Sequence, residues 1–254
     1  MRVLYQDNHL LVVEKPPGML SQSDTPDGDD DLLSRAKAYI KREFNKPGAV
    51  WLGLVHRLDR EVGGVMIFAR TSKAAARLSE EIRAGRTRKI YRAWLEGRPR
   101  LKAEDKSPAF PASASLQSPE AGGGRTQELD PHDWIRLTDR IAKDTKRRMA
   151  VPASADESGN KVASLRYRIV EAVLDAQRIP VEIELETGRF HQIRYQFSSR
   201  GAPILGDRKY GSRGSLPGVK LALYCVEMGI RHPIRGEFMS FTCDPPAAWS
   251  RNPA

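Results

Sequence analysis

The chain has 254 residues, enough for one large domain or two small ones around a real core. Its apolar (40 %) and charged (29 %) fractions are those of an ordinary soluble protein. No apolar run approaches the roughly 18 residues that cross a bilayer, and Asp7 and Asn8 interrupt the N-terminus too early for a secretory signal. A net charge of +10, from 29 arginines and 13 lysines, favours a polyanionic partner, though codon bias in a GC-rich genome also enriches arginine. Cys225 and Cys243, the two cysteines, show neither metal-ligand spacing nor a disulfide framework, which suits a reducing cytoplasm.

The opening "RVLYQDNHLLVVEKPPGML" reads as two short strands around an Asp-Asn turn, stopped by Pro16, Pro17 and Gly18. A polar loop, "SQSDTPDGDD", leads to Asp29–Asp31, which can cap the helix "LLSRAKAYIKREF"; Leu32, Leu33, Ala36, Tyr39 and Ile40 fall on one face. After a Gly/Pro break come "WLGLVHRLD", a glycine pair and the apolar run "VMIFAR", a buried strand. "SKAAARLSEEIRAG" is an amphipathic helix with Ala75, Leu78 and Ile82 inward and Gly85 as its stop. "RKIYRAWLEG" alternates as a strand. Residues 101–127 are rich in Pro, Ala, Ser and Gly, and predict an enlarged, mobile loop. A basic turn in "KDTKRRMAV", a strand in "ESGNKVASLRYRIVEAV", and a strand, Thr-Gly turn and helix in "IPVEIELETGRFHQIRYQFSSRG" follow. One or two strands close the chain. Without a regular βαβ rhythm, the class is α+β, with a mixed, largely antiparallel central sheet and flanking helices and loops.

Three stretches carry candidate chemistry. Asp59 lies between Arg57 and Arg60 in "GLVHRLDREVGG", residues 53–64. Taken locally, a solvated turn aspartate is the simpler reading. If the loop is partly buried, an adjacent guanidinium favours the charged form, and such a carboxylate can attack a sugar or base carbon. Tyr91 is either a strand-core aromatic or a phenol that exchanges a proton or stacks on a base. Arg88, Lys89 and Arg92 around it give the basic-aromatic interleaving of a single-strand RNA surface, a weakly specific pattern. In "TGRFHQIRYQ", Arg189 and Arg194 flank His191, Gln192 and Ile193, either as a basic surface turn or as part of a site. His191 has no partner at ligand spacing, so no metal is expected. "KDTKRR" is a solvated loop or a grip on phosphates. No motif for a cofactor is present.

In this order, the stretches resemble the RluA-type pseudouridine synthases. "HRLDR" resembles the signature around that family's essential aspartate, "RKIYRAWLEG" its tyrosine motif, and "LETGRFHQIRYQFSSRGAPILGDRKYG" its third motif with the "GD..YG" tail. "NHLLVVEKPPGML" and "HPIRGEFMSF" are similar to the family's opening and closing strands, so the resemblance runs from about Arg2 to Trp249. It implies a single catalytic domain over 1–254, without the family's small N-terminal RNA-binding module. It implies isomerisation of specific uridines in transfer or 23S-type ribosomal RNA, by a monomer that needs no cofactor and no membrane. Asp59 would be the nucleophile, with Tyr91 stacked on the uracil and Arg194 paired with Asp59. Arg57 would displace or replace the flipped base, with Arg60 beside it, and Ile193 would pack near it. Arg189 and Lys89 would contact the RNA. Whether Asp59 adds to the base or attacks the sugar stays open. The chain departs from the pattern "HRLDRxTSG" by reading Glu61-Val62-Gly63-Gly64 after the arginine.

Two other classes fit less well. A glycosidase or nucleosidase usually needs a second carboxylate, and Glu61 alone stands near, crowded on the same loop. A non-catalytic RNA-binding module would have little use for Asp59, Tyr91 and Arg194 together.

Overall fold

The computed structural model describes residues 1–23, 30–103, 105, 134–154, 160–170 and 178–249. The loop expected at 101–127 lies outside them apart from residues 101–103 and 105.

Strands β1 (Arg2–Gln6) and β2 (Leu10–Lys15) form the opening hairpin. Asp7 closes its turn by accepting the N–H groups of His9 and Leu10, both at 2.8 Å. Asp31 caps α1 (Leu32–Glu43), its carboxylate accepting the Ser34 N–H at 2.8 Å. The helix buries Leu32, Leu33, Ala36 and Ile40 in the main core, each worth about 1.5–3 kcal/mol for a large side chain. Tyr39, half-buried, donates to Gln6 Oε1 at 3.1 Å. The short strand β3 (Gly53–Leu54) and β4 (Gly63–Ala69) bracket the Asp59 loop, and every residue of β4 is buried. Thr71 caps α2 (Ser72–Arg83), and Gly85 ends it in the left-handed region at φ +71°. The strands β5 (Arg88–Glu96), β6 (Ile135–Asp144), β7 (Met149–Pro152), β8 (Lys161–Ile169) and β9 (Arg178–Leu185) precede α3 (Gln192–Ser198). The closing strands are β10 (Leu223–Arg231) and β11 (Phe238–Thr242).

Among the described residues, eleven strands share one sheet in the order β1-β2-β4-β10-β5-β9-β8-β6-β7, with β3 beside β4 and β11 beside β10. The β4–β10 pairing is parallel and the others are antiparallel, so the sheet is mixed and largely antiparallel, as expected. This order positions the site. The Asp59 loop runs into β4, Tyr91 lies on β5 across β10, and β9 beside β5 leads into α3 with Arg194.

The glycine pair after Asp59 answers to the parallel contact. Gly64 faces Cys225 and Gly63 faces Tyr224. A Cβ on Gly64 would lie 2.1 Å from the Cys225 carbonyl oxygen, and the backbone there has φ +122°. A Cβ on Gly63 would lie 2.4 Å from the Tyr224 ring. The departure at Gly63 thus has a physical reason here: Tyr224 takes the space a serine would need.

Strand β6 is not legible in the sequence, because Asp139 falls on an inward position of an otherwise apolar alternation, Ile135, Leu137 and Ile141. The carboxylate is satisfied by groups from distant segments: Arg200 at 2.7 Å, Gln196 at 2.9 Å and Lys102 at 2.6 Å. Arg200, itself buried, also forks onto Asp105. On the neighbouring strands Arg166–Glu184 and Arg168–Glu182 form an in-register ladder on the outer face, each pair worth little in solvent. Among the described residues no helix is long and apolar enough to cross a membrane.

Candidate active site

The Asp59 loop is pinned from the N-terminal segment. Ser21 Oγ donates to the Leu58 carbonyl at 2.7 Å and accepts its N–H at 3.1 Å. The Gly18 N–H donates to the Arg60 carbonyl at 2.8 Å. Lys15, fully buried, donates to the carbonyls of Arg60 at 2.9 Å and Pro16 at 3.0 Å. Burial lowers the Lys15 ammonium to about 8, and Glu61 and Asp59 oppose a further fall.

Read locally, Asp59 has Arg57 and Arg60 as its charge neighbours, whereas the family resemblance pairs it with Arg194; the geometry has the second arrangement. Among the described residues, Asp59 Oδ2 pairs with Arg194 Nη1 at 3.1 Å and faces His191 Nε2 at 3.5 Å. Arg57 and Arg60 are exposed on the loop, while α3 brings Arg194 onto Asp59 from a segment 135 residues away. Arg194 is in turn fixed by a two-pronged bond to buried Asp207, Nε to Oδ2 at 2.7 Å and Nη2 to Oδ1 at 2.8 Å. Burial alone would lower the guanidinium's pKa; Asp207 and Asp59 outweigh it and raise it. Arg194 therefore stays charged.

His191 opens α3 in the left-handed region, at φ +49° and ψ +26°, a conformation unusual for a side chain of its size. Its ring is stacked on Phe190, with centroids 3.8 Å apart. Tyr210 Oη accepts the Ala150 N–H at 2.7 Å and lies 3.0 Å from His191 Nδ1. Arg194 Nη1, which can only donate, lies 3.2 Å from His191 Nε2, so Nε2 accepts and the imidazole proton sits on Nδ1, donated to Tyr210 Oη, whose second lone pair takes the Ala150 N–H. Burial pushes the His191 pKa down to about 4, with Asp59 opposing and Arg194 adding to the fall. The ring is neutral at neutral pH.

Asp59, Tyr91, Ile193, Arg194, Arg57 and Arg189 line one small cavity of about 110 Å³, with Leu185 and Leu223 among its apolar walls. Asp59, Arg57, His191 and Arg194 also line a wider groove of about 430 Å³, whose wall includes Arg60, Arg148 and Lys209. Tyr91 is buried, and burial, Cys225 and Asp59 all hold its phenol well above its ordinary pKa; it stays protonated. The expected site residues thus converge, with two exceptions. Arg60 reaches the outer groove only, and Lys89 lines neither space. Lys89 is buried on β5, where desolvation lowers its pKa. Three residues of this arrangement escape the motif reading. The sequence offers His191 no role beyond a metal ligation its spacing rules out, and Asp207 and Tyr210 none beyond the "GD..YG" tail. Among the described residues no group of three or more His, Cys, Asp or Glu side chains is arranged to hold a metal ion.

Comparison with known proteins assigns the class. The family model described as RNA pseudouridylate synthase matches residues 9–199, and the chain belongs to that family of RNA-directed isomerases. Within it the chain is of the RluA type. It is 28 % identical over 255 residues to the ribosomal large subunit pseudouridine synthase D of Zymomonas mobilis, covering 97 % of this chain and 69 % of that protein. It is 30 % identical over 250 residues to the synthase D of Xanthomonas campestris, covering 93 % and 63 %. An uncharacterized RNA pseudouridine synthase of Chloroflexus aurantiacus is 33 % identical over 196 residues, covering 77 % and 50 %. The chain thus spans between half and about 70 % of the length of these relatives. The fold is shared with human RNA pseudouridylate synthase domain containing 4, at a TM-score of 0.67 and 20 % identity, covering 96 % of this chain and 88 % of that one.

Proposed function

We propose that this chain isomerises uridine to pseudouridine in ribosomal or transfer RNA, with Asp59 as nucleophile. One observation carries the reading. The Asp59 carboxylate faces the same small cavity as Tyr91 and Ile193, and Arg194, itself locked by Asp207, holds it from the side. The reaction cleaves the bond between ribose and uracil nitrogen 1, turns the base, and forms a bond from the same sugar carbon to carbon 5. The proton on carbon 5 is lost and nitrogen 1 gains one, so no oxidant or reductant enters.

A uridine in folded RNA must leave its stack to reach Asp59. That costs a few kcal/mol, offset by contacts in the pocket and along the phosphates. Tyr91 and Ile193 supply the apolar faces for the base. Arg57, exposed at the mouth of the cavity, is placed to fill the gap left in the RNA. Arg60 and Arg189 supply phosphate contacts. Lys89 sits behind this surface, and we assign it to holding β5 rather than to touching RNA. Synthase D relatives are named for the large ribosomal subunit, which favours ribosomal RNA as substrate. All the site residues come from one chain, so a monomer acting in the cytoplasm suffices.

The test is release of tritium from RNA labelled at uracil carbon 5, taken from cells lacking this protein. Wild-type protein should release it and Asp59→Ala should not, while both bind RNA. Binding without release by the wild type would return the chain to a non-catalytic RNA-binding role.

A further inference from the structure

A second cavity, of about 240 Å³, lies behind Phe190 and is lined by Ile141, Lys143, Lys161, Gly188, Arg189 and Phe190. It shares Gly188 and Arg189 with the Asp59 cavity, and Lys143 and Phe190 with the outer groove. It is therefore the compartment next to Asp59. Three cations face it and no carboxylate lines it. The Arg189 side chain is tied, among the described residues, only through Nε, to the Val162 carbonyl at 3.1 Å. Among the described residues, its forked end and the Lys161 ammonium have no ion-pair partner.

Phe190 looks at first like a platform for a base. Both its faces are taken: His191 stacks on one, and Lys143 Nζ stands 4.8 Å from the ring centroid. The occupant this pocket suits is thus a compact anion rather than an aromatic ring. Guanidinium and ammonium groups brought together without a counter-charge repel one another, and a phosphodiester relieves this by accepting a forked bond from the arginine and point contacts from the lysines.

We propose that this pocket binds a backbone phosphate of the RNA strand flanking the target uridine, held by Arg189, Lys161 and Lys143. Phe190 is then the partition between that phosphate and the base delivered to Asp59. The proposal rests on reading the Asp59 cavity as the place of reaction.

The experiment measures affinity for two unmodified transcripts, a transfer RNA and a 23S-type ribosomal RNA, across a salt series. Wild type, Lys161→Ala and Lys41→Ala are compared. Lys161 is exposed, so its loss leaves the core intact, and Lys41 is an exposed cation at the far end of α1. Lys161→Ala should bind more weakly and flatten the slope of log affinity against log salt by about 0.7, the share of one phosphate contact on a single strand. Over a fourfold rise in salt it should lose about 2.6-fold less affinity than wild type. Lys41→Ala should keep the wild-type slope. An unchanged slope for Lys161→Ala, or equal flattening by Lys41→Ala, overturns the proposal. Inorganic phosphate that displaces RNA from wild type but not from Lys161→Ala, at matched ionic strength, supports an anion site. If it also binds as tightly as the strand, it overturns the strand as the occupant. Tritium release is scored separately, so slope differences without release would sink the reaction reading and leave the pocket standing.

Discussion

Arg194 bridges two aspartates that are 148 positions apart in sequence, donating to Asp59 Oδ2 at 3.1 Å and gripping Asp207 at 2.7 and 2.8 Å. One guanidinium thus aims the carboxylate in the cleft while a buried carboxylate aims the guanidinium. Substituting Asp207→Asn keeps the shape and removes the charge. Because the loss strands a mostly buried cation, stability should fall by about 3–5 kcal/mol. Turnover should drop by about 100-fold with KM little changed, because a small misplacement of reacting groups is enough. Urea unfolding and tritium-release kinetics read the two effects; a change in KM alone would contradict the positioning role.

Arg194→Lys should fare nearly as badly. A lysine keeps the charge but cannot make the fork to Asp207 and still reach Asp59. Activity close to that of wild type would show that charge, and not geometry, is what Asp59 requires.

The left-handed backbone at His191 makes a distinctive pair of variants. Glycine adopts φ +49° without strain, whereas alanine must bear roughly 1–2 kcal/mol. His191→Gly should therefore melt above His191→Ala although it carries less side chain. Both should slow turnover by roughly tenfold or more by removing the ring nitrogen that accepts from Arg194 beside Asp59. Equal melting temperatures would show that the strain is not borne at this residue.

The same histidine sets a pH dependence. Its folded pKa, about 4, lies below its ordinary 6.5, so the unfolded chain takes up its proton first. Stability contributed by the neutral ring is present above about 6.5 and declines as pH falls toward 4. His191→Gly should flatten the loss of stability over that window, read as urea midpoints at pH 7, 5.5 and 4.

Asp7 acts lower on the scale. Burial alone would raise its pKa, but N–H bonds from His9 and Leu10, with Tyr5 and His232, bring it from 3.8 to about 2. Its contribution is present above about 4 and lost between 4 and 2. Asp7→Asn should weaken the protein at pH 7 and remove that acid step. An unchanged step would place it on other carboxylates.

Much of this molecule is written locally. Asp31 before Leu32 and Thr71 before Ser72 announce helix starts because a cap needs only its own next few amides. The buried strand at "VMIFA" and the alternation of "RKIYRAWLE" are legible because burial on one face imposes a period on neighbouring residues. The order of the motifs around Asp59, Tyr91 and Arg194 sufficed to point to the family. What the tertiary structure decided are relations between distant residues. The local pattern around Asp59 offers Arg57 and Arg60, and only the family resemblance points to Arg194, which the fold brings onto Asp59; Asp207 and Tyr210 orient Arg194 and His191; Asp139 turns inward on β6 because Arg200 arrives from another segment. The Gly63-Gly64 pair follows from β10 crossing beside β4. Periodicity and capping act over a few residues, and a local pattern records them. Ion pairing and close backbone approach act through space, so they take form only once the sheet has brought its strands together.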